Sequence, residues 1–263
     1  RRVDALLAQL APQAALFLLI ATRLSAMIMV APVFSSRTIP LRVKAGLVVL
    51  VSYIALPIVA AQGGRAPGDP LEFALMAGKE AIIGFAFGFV AQMLFAAVQV
   101  AGSFIDMNAG FAVAETIDPT SGINVSILAR WYNLIATAAF LAMGGHQLLV
   151  AGVVRSFDLA PPLAAVDMGA IVTGVLARAD DILLVAVQIG APIVGALLLT
   201  DVTLGIISRS VPQMNVFIVG LPLKIVVALA GSAILLPAMV VLLTNLGGQM
   251  FADLSGIMRA AGR

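Results

Sequence analysis

The chain of 263 residues has no cysteine, one histidine, one tryptophan and two tyrosines. Without cysteine there is no disulfide framework, no thiolate metal site and no cysteine nucleophile. A single histidine rules out a multi-histidine zinc or haem site within the chain. Charge is also scarce: only 11% of residues are Asp, Glu, Lys or Arg. A soluble domain carries about 25%. Hydrophobic residues fill the gap at 62%, and mean hydropathy is +1.11. These shortages exclude a water-soluble globule and most enzyme chemistries, and they leave an integral membrane protein.

The net charge is +2, from 15 basic and 13 acidic residues. That near balance offers no nucleic-acid patch; the longest basic cluster is Arg37, Arg42 and Lys44. A secretory signal needs a basic start, a short apolar core and a small-residue cleavage site. Arg1-Arg2, Asp4 and a longer apolar stretch fit an uncleaved first span better.

A bilayer core is about 30 Å thick and is crossed by roughly 20 apolar residues of helix. Six stretches qualify, at about 11–34, 45–61, 71–101, 123–152, 182–207 and 216–243. Backbone in lipid must satisfy its own hydrogen bonds, so these read as helices. Gly- and Pro-rich breaks separate them, most sharply at 62–70 and 158–162. The expected fold is an all-α integral membrane protein of about six hydrophobic helices, several kinked or broken, forming one membrane domain over 1–263. Pro192, Pro222 and Pro237 fall inside the last two spans. Basic residues number about seven on one side of such a topology and about five on the other, so orientation is poorly specified.

Charges inside apolar segments are costly and invite a functional question. They are Arg23, Lys79 with Glu80, Arg130 and Asp201. One reading is structural pairing, of Arg23 with Asp201 or Glu80; the other is a polar conduit or inter-subunit contact. Gly84 and Gly88 form a GxxxG pair whose flat groove admits another helix, within the chain or from a neighbour. His146 follows Gly144-Gly145 at a span end, a usual place for an interfacial histidine. Met107 and Met214 flank polar loop motifs, where flexible thioethers could seal gaps.

The segment 101–124 joins two strongly apolar spans. It carries Asp106, Glu115 and Asp118, no basic residue, and glycines at 102, 110 and 122. It is too apolar for a solvated loop and too broken for a span. A re-entrant constriction and an ordinary long loop both fit. Enzyme readings fail on inventory: there is no HExxH, and Ser121 with His146 lacks the usual protease context. No catalytic, cofactor or metal residues are expected.

Arg209-Ser-Val-Pro-Gln-Met-Asn-Val-Phe-Ile-Val-Gly-Leu-Pro-Leu-Lys224 resembles a signature of the FliR/SctT family of type III export-gate proteins. Further similarities follow in order: Arg23 with Ala31-Pro-Val-Phe34 and Ile39-Pro-Leu-Arg-Val-Lys44, then Ala101-Gly-Ser-Phe-Ile-Asp106, Gly110 and Asp118-Pro119, then Gly144-Gly-His146 and Ser156-Phe157. The Pro-Gln-Met-Asn-Val-Phe run favours the flagellar branch. The resemblance implies a subunit of the flagellar basal body in the bacterial inner membrane. It would form with FliP and FliQ the channel that passes unfolded flagellar proteins, with FlhB and FlhA as further partners. Several helices would then pack on protein rather than lipid.

The resemblance also implies a pore plug at about 106–122. Asp106, Met107, Gly110, Phe111, Val113, Glu115, Ile117, Asp118 and Gly122 would gate it: glycines for bending, apolar side chains for the seal, carboxylates toward neighbours or the pore mouth. Arg23, Glu80, Asp201, Arg209, Pro212, Gln213, Asn215 and Lys224 would serve assembly, and Gly84 and Gly88 helix packing. The rival classes are a small-solute or ion transporter, whose midplane charges bind substrate, and an intramembrane serine protease.

Overall fold

The computed structural model describes residues 2–63, 67–111, 126–213 and 215–261. These form eight α-helices, and no strand occurs among them. They are α1 (Arg2–Val30), α2 (Leu41–Ala60), α3 (Pro70–Ala109), α4 (Ile127–Ala142), α5 (Gly145–Leu159), α6 (Met168–Leu176), α7 (Ala179–Ser210) and α8 (Val216–Ala261). Five helical stretches are long and apolar enough to cross a membrane, and α4 with α5 can serve as a sixth, interrupted span. The chain is therefore an all-α, multi-pass membrane protein.

The apolar segments read from sequence recur with shifted ends. The segment at 71–101 extends through Ala109, and the last one runs to Ala261. The segment at 123–152 breaks at Met143-Gly144, where Gly144 adopts φ 72°. A left-handed residue ends an α-helix at little cost only when it is glycine. The prolines behave differently. Pro192 lies within α7, and Pro222 and Pro237 within α8, without ending either helix. Helix α6 is apolar but, at nine residues, too short to read as a span; Asp167 starts it, its carboxylate accepting from Ala170 N–H at 3.2 Å.

Packing divides the chain into two compact units. The first comprises Arg1–Met93, Met143–Ala179 and Leu246–Arg263. Here α1 lies against α2 and α5, and its inward stripe of Leu19, Ile20, Leu24 and Met27 is fully buried. Helix α3 approaches α1 through its glycines. A Cβ at Gly84 would collide with the Arg23 carbonyl; one at Gly88 would sit 2.7 Å from the Met27 carbonyl oxygen and 3.0 Å from Ala31 N. After α1 the chain turns at Val33, with φ 69° and a 2.8 Å bond from Phe34 N–H to the Pro32 carbonyl. A β-branched residue in that conformation is strained, as at the centre of a γ-turn.

The second unit comprises Leu94–Ala142 and Asp180–Asn245. The end of α3 meets α4 at Gly102, where a Cβ would stand 2.5 Å from the Ala129 Cα. Phe95 meets Phe140 edge to face, with centroids 5.5 Å apart. Tyr132 O–H donates to Ser232 Oγ at 3.0 Å, and Ser232 donates to the Ala228 carbonyl at 2.6 Å, so the buried hydroxyls of α4 and α8 satisfy each other.

The glycine contacts give a direct test. Gly84→Ala forces α1 and α3 apart, and overpacking of this kind costs about 1–3 kcal/mol. Gly46→Ala on α2 meets nothing within 4 Å and gains helix propensity. Thermal unfolding of the detergent-solubilised variants should show a clear loss for the first and none for the second.

Candidate functional site

The first unit holds a buried ionic cluster around Arg23, whose side chain is fully buried. A guanidinium presents N–H donors from all three nitrogens and cannot shed its charge. Each nitrogen finds an acceptor. Nε donates to Glu80 Oε2 at 2.6 Å, Nη1 to Ser156 Oγ at 2.8 Å and Nη2 to the Ala160 carbonyl at 2.7 Å. The guanidinium also stacks over Phe157, 4.1 Å from the ring centre, a cation–π contact strengthened by the absence of water. Ser156 donates its own proton to the Val153 carbonyl at 2.6 Å.

Glu80 is equally buried. Its second oxygen, Oε1, lies 3.5 Å from Lys79 Nζ but accepts no hydrogen bond from a described residue. The reason is stoichiometric. The ammonium has three donors, and three carbonyls take them: Pro161 at 3.2 Å, Pro162 at 2.5 Å and Ala164 at 2.7 Å. Lys79 therefore holds the α5–α6 connection while giving Glu80 only charge. One carboxylate flanked by two cations, tied to three helices and a loop, joins elements together. It binds no substrate that the geometry reveals. Among the described residues no group of three metal-ligating side chains occurs.

The other intramembrane acid, Asp201, pairs with Lys224 in the second unit, at 2.9 and 3.0 Å to its two oxygens. That contact joins α7 to α8 across the segment that carries the sequence signature. Arg209, Pro212, Gln213 and Asn215 are all exposed there. Asn215 acts locally. Its side-chain oxygen accepts from Phe217 N–H at 3.1 Å and Ile218 N–H at 3.4 Å, capping α8. Arg130 is exposed on α4. Met214 lies outside the described residues.

Of the plug residues, Asp106 and Met107 belong to the last turns of α3, and Gly110 and Phe111 to the turn that follows. Asp106 is buried and receives a long 3.4 Å contact from Leu128 N–H, at the start of α4. A carboxylate there also meets the positive end of the helix dipole. Gly110 takes φ 90°, and a Cβ on it would approach Leu221 Cδ2 to 2.6 Å. Phe111 N–H closes the turn on the Asp106 carbonyl at 3.3 Å, and Met107 is exposed. Val113, Glu115, Ile117, Asp118 and Gly122 lie outside the described residues, as does Ser121 of the protease reading. His146 has a buried Nδ1 without a hydrogen-bond partner among the described residues.

Sequence reading located Arg23 and Glu80 but missed what surrounds them: Lys79 as a clamp on the Pro161–Ala164 carbonyls, and Ser156, Phe157 and the Ala160 carbonyl as the rest of the guanidinium cage. A usable signal existed. A buried arginine requires several acceptors, and Ser156, Phe157 and the Pro161-Pro162 pair stand together after an apolar helix.

An all-helical polytopic membrane protein whose first unit is built on a buried Arg–Glu pair is thus the class that fold and site define. Comparison with known proteins narrows it. The family described as bacterial export proteins, family 1, matches residues 14–250, and the chain belongs to that family. It is 35% identical to the flagellar biosynthetic protein FliR of Bacillus subtilis over 219 residues, covering 81% of this chain and 82% of that protein. Against the Escherichia coli FliR, identity is 30% over 237 residues and 90% of each chain. The surface presentation of antigens protein SpaR of Shigella sonnei is 32% identical over 151 residues, covering 57% of this chain and 58% of its own.

Breaking a buried ion pair from one side costs about 3–5 kcal/mol, because the remaining charge is stranded. Arg23→Leu and Glu80→Leu should each destabilise the protein on that scale, and the double variant should cost much less than their sum. A double-mutant cycle on unfolding free energy measures the coupling. Asn215→Ala should cost about 1 kcal/mol through its lost cap, and Asn215→Asp should restore it.

Proposed function

We propose that this protein is a core subunit of a flagellar type III export gate in the bacterial inner membrane. With FliP and FliQ it builds the channel that passes unfolded flagellar proteins, with FlhB and FlhA as further partners at the basal body. The observation that carries this reading is family membership across most of the chain. The flagellar side is favoured because the FliR relatives cover 81% and 90% of the chain and SpaR covers 57%.

The physical work is gating rather than bond chemistry. The chain supplies a rigid frame, through Arg23, Lys79 and Glu80, and a glycine-punctuated segment at 106–122 that closes the conduit at rest. Asp106 and Gly110 anchor one end of that segment: the acid reaches the start of α4, and the glycine adopts a backbone conformation that costs other residues energy. Phe111, Val113 and Ile117 form the seal, while Glu115 and Asp118 face neighbours or the pore mouth. Exposed apolar side chains such as Tyr53, Leu199 and Ile234 offer partner subunits a surface to cover.

Pull-down of the tagged, functional chain in mild detergent should recover FliP and FliQ by mass spectrometry. Recovery of neither from motile cells would sink the assignment. Deleting about 110–120 should raise ion leak through the assembled gate while export persists. Unchanged leak in a properly assembled complex would remove the plug.

A further inference from the structure

We propose that the first unit binds the headgroup of an acidic phospholipid in a pocket between α3, α5 and the end of α8. This goes beyond the export reading and does not depend on it. The cavity measures about 540 Å³, far more than a bare phosphate fills. Its apolar wall includes Phe87, Leu148, Leu159 and Met258, and Arg155 and Arg259 also line it. Both arginines are exposed, and neither forms a hydrogen bond or ion pair with a described residue.

The combination favours one occupant. Two guanidinium groups without a partner among the described residues select a net anion, since both keep their positive charge at any working pH. The single acid lining the pocket, Asp158, already accepts from Gln62 Nε2 at 2.8 Å, so one net positive charge remains. The apolar wall selects a ligand whose charge is attached to a hydrocarbon. The walls are helical, with backbone groups bonded internally, so they offer an extended polypeptide no ladder to pair with. The location agrees. The Gln62–Asp158 bond and the Lys79 contacts to Pro161, Pro162 and Ala164 gather the ends of α2 and α5 and the early part of α3 at one polar level. Apolar helices give way to polar loops where lipid headgroups lie, and basic residues there attract acidic lipids.

Native mass spectrometry of the full-length protein, exchanged into equal amounts of phosphatidylglycerol and phosphatidylcholine with the same acyl chains, tests the site. Phosphatidylglycerol should be retained about tenfold over phosphatidylcholine. The preference should vanish in Arg155→Gln/Arg259→Gln and largely survive in Arg155→Lys/Arg259→Lys, which keeps the charges. Equal retention of the two lipids by the unaltered chain, or an undiminished preference in the glutamine variant, overturns the proposal. Excess inorganic phosphate should leave the lipid bound; full displacement would assign the pocket to a soluble anion and overturn the lipid. The chain has no cysteine, so Leu148→Cys carries a unique photo-crosslinker. A lipid adduct at that position supports the proposal, and a polypeptide adduct overturns it.

Discussion

A permanently charged guanidinium, sealed from water inside a bundle of apolar helices, is the constraint on which the first unit depends. Taking an ion of that kind out of water costs several kcal/mol even after relaxation, and the cost is recovered only if its geometry is fully satisfied. Satisfaction here requires α3 to supply Glu80, α5 to supply Ser156, and the chain beyond α5 to supply the Ala160 carbonyl. No one of these elements can shift by a turn without stranding a charge. A hydrophobic core of the same size would tolerate sliding; this one has a register.

The same constraint explains the glycines. Glu80, Gly84 and Gly88 follow each other at four-residue spacing, so they form one stripe along α3. The stripe begins with the carboxylate that binds Arg23 and continues with two positions where a Cβ would strike the backbone of α1. Close approach and ion pairing are thus one arrangement. The missing side chains let α1 come near enough for a 2.6 Å contact, and that contact fixes which face of α1 comes near. A GxxxG motif alone specifies a groove without specifying its occupant. Here the occupant is the helix that carries the buried cation.

Much of this was legible in the sequence, and the limits have physical causes. Apolar length and the need to close backbone hydrogen bonds in lipid determine helices, so all-α architecture and the approximate spans followed. An arginine in an apolar run announces an acceptor, but composition offered Glu80 and Asp201 equally. Only packing assigns the first to Arg23 and the second to Lys224. Lys79 reads as Glu80's neighbour in sequence, whereas its three donors go to carbonyls exposed by a proline-rich turn, which no pairwise charge rule anticipates. The interruption at Gly144 is averaged away by hydropathy because His146 and Gln147, which follow it, sit between two longer apolar runs. The cap at Asn215 hides inside a motif that reads as an assembly signature, although an asparagine two residues before Phe217 is an ordinary helix start.

Helix length carries the argument one step further. Helix α3 runs unbroken for 40 residues, with exposed apolar side chains near both ends, Leu71 and Met107 each more than 60% accessible. About 20 residues of helix cross the hydrocarbon, so α3 is about twice as long as one crossing needs. The length of an apolar helix in this chain therefore does not by itself fix how much of it lies in lipid. The same composition that identifies a membrane protein also leaves a surface that subunit contacts can bury.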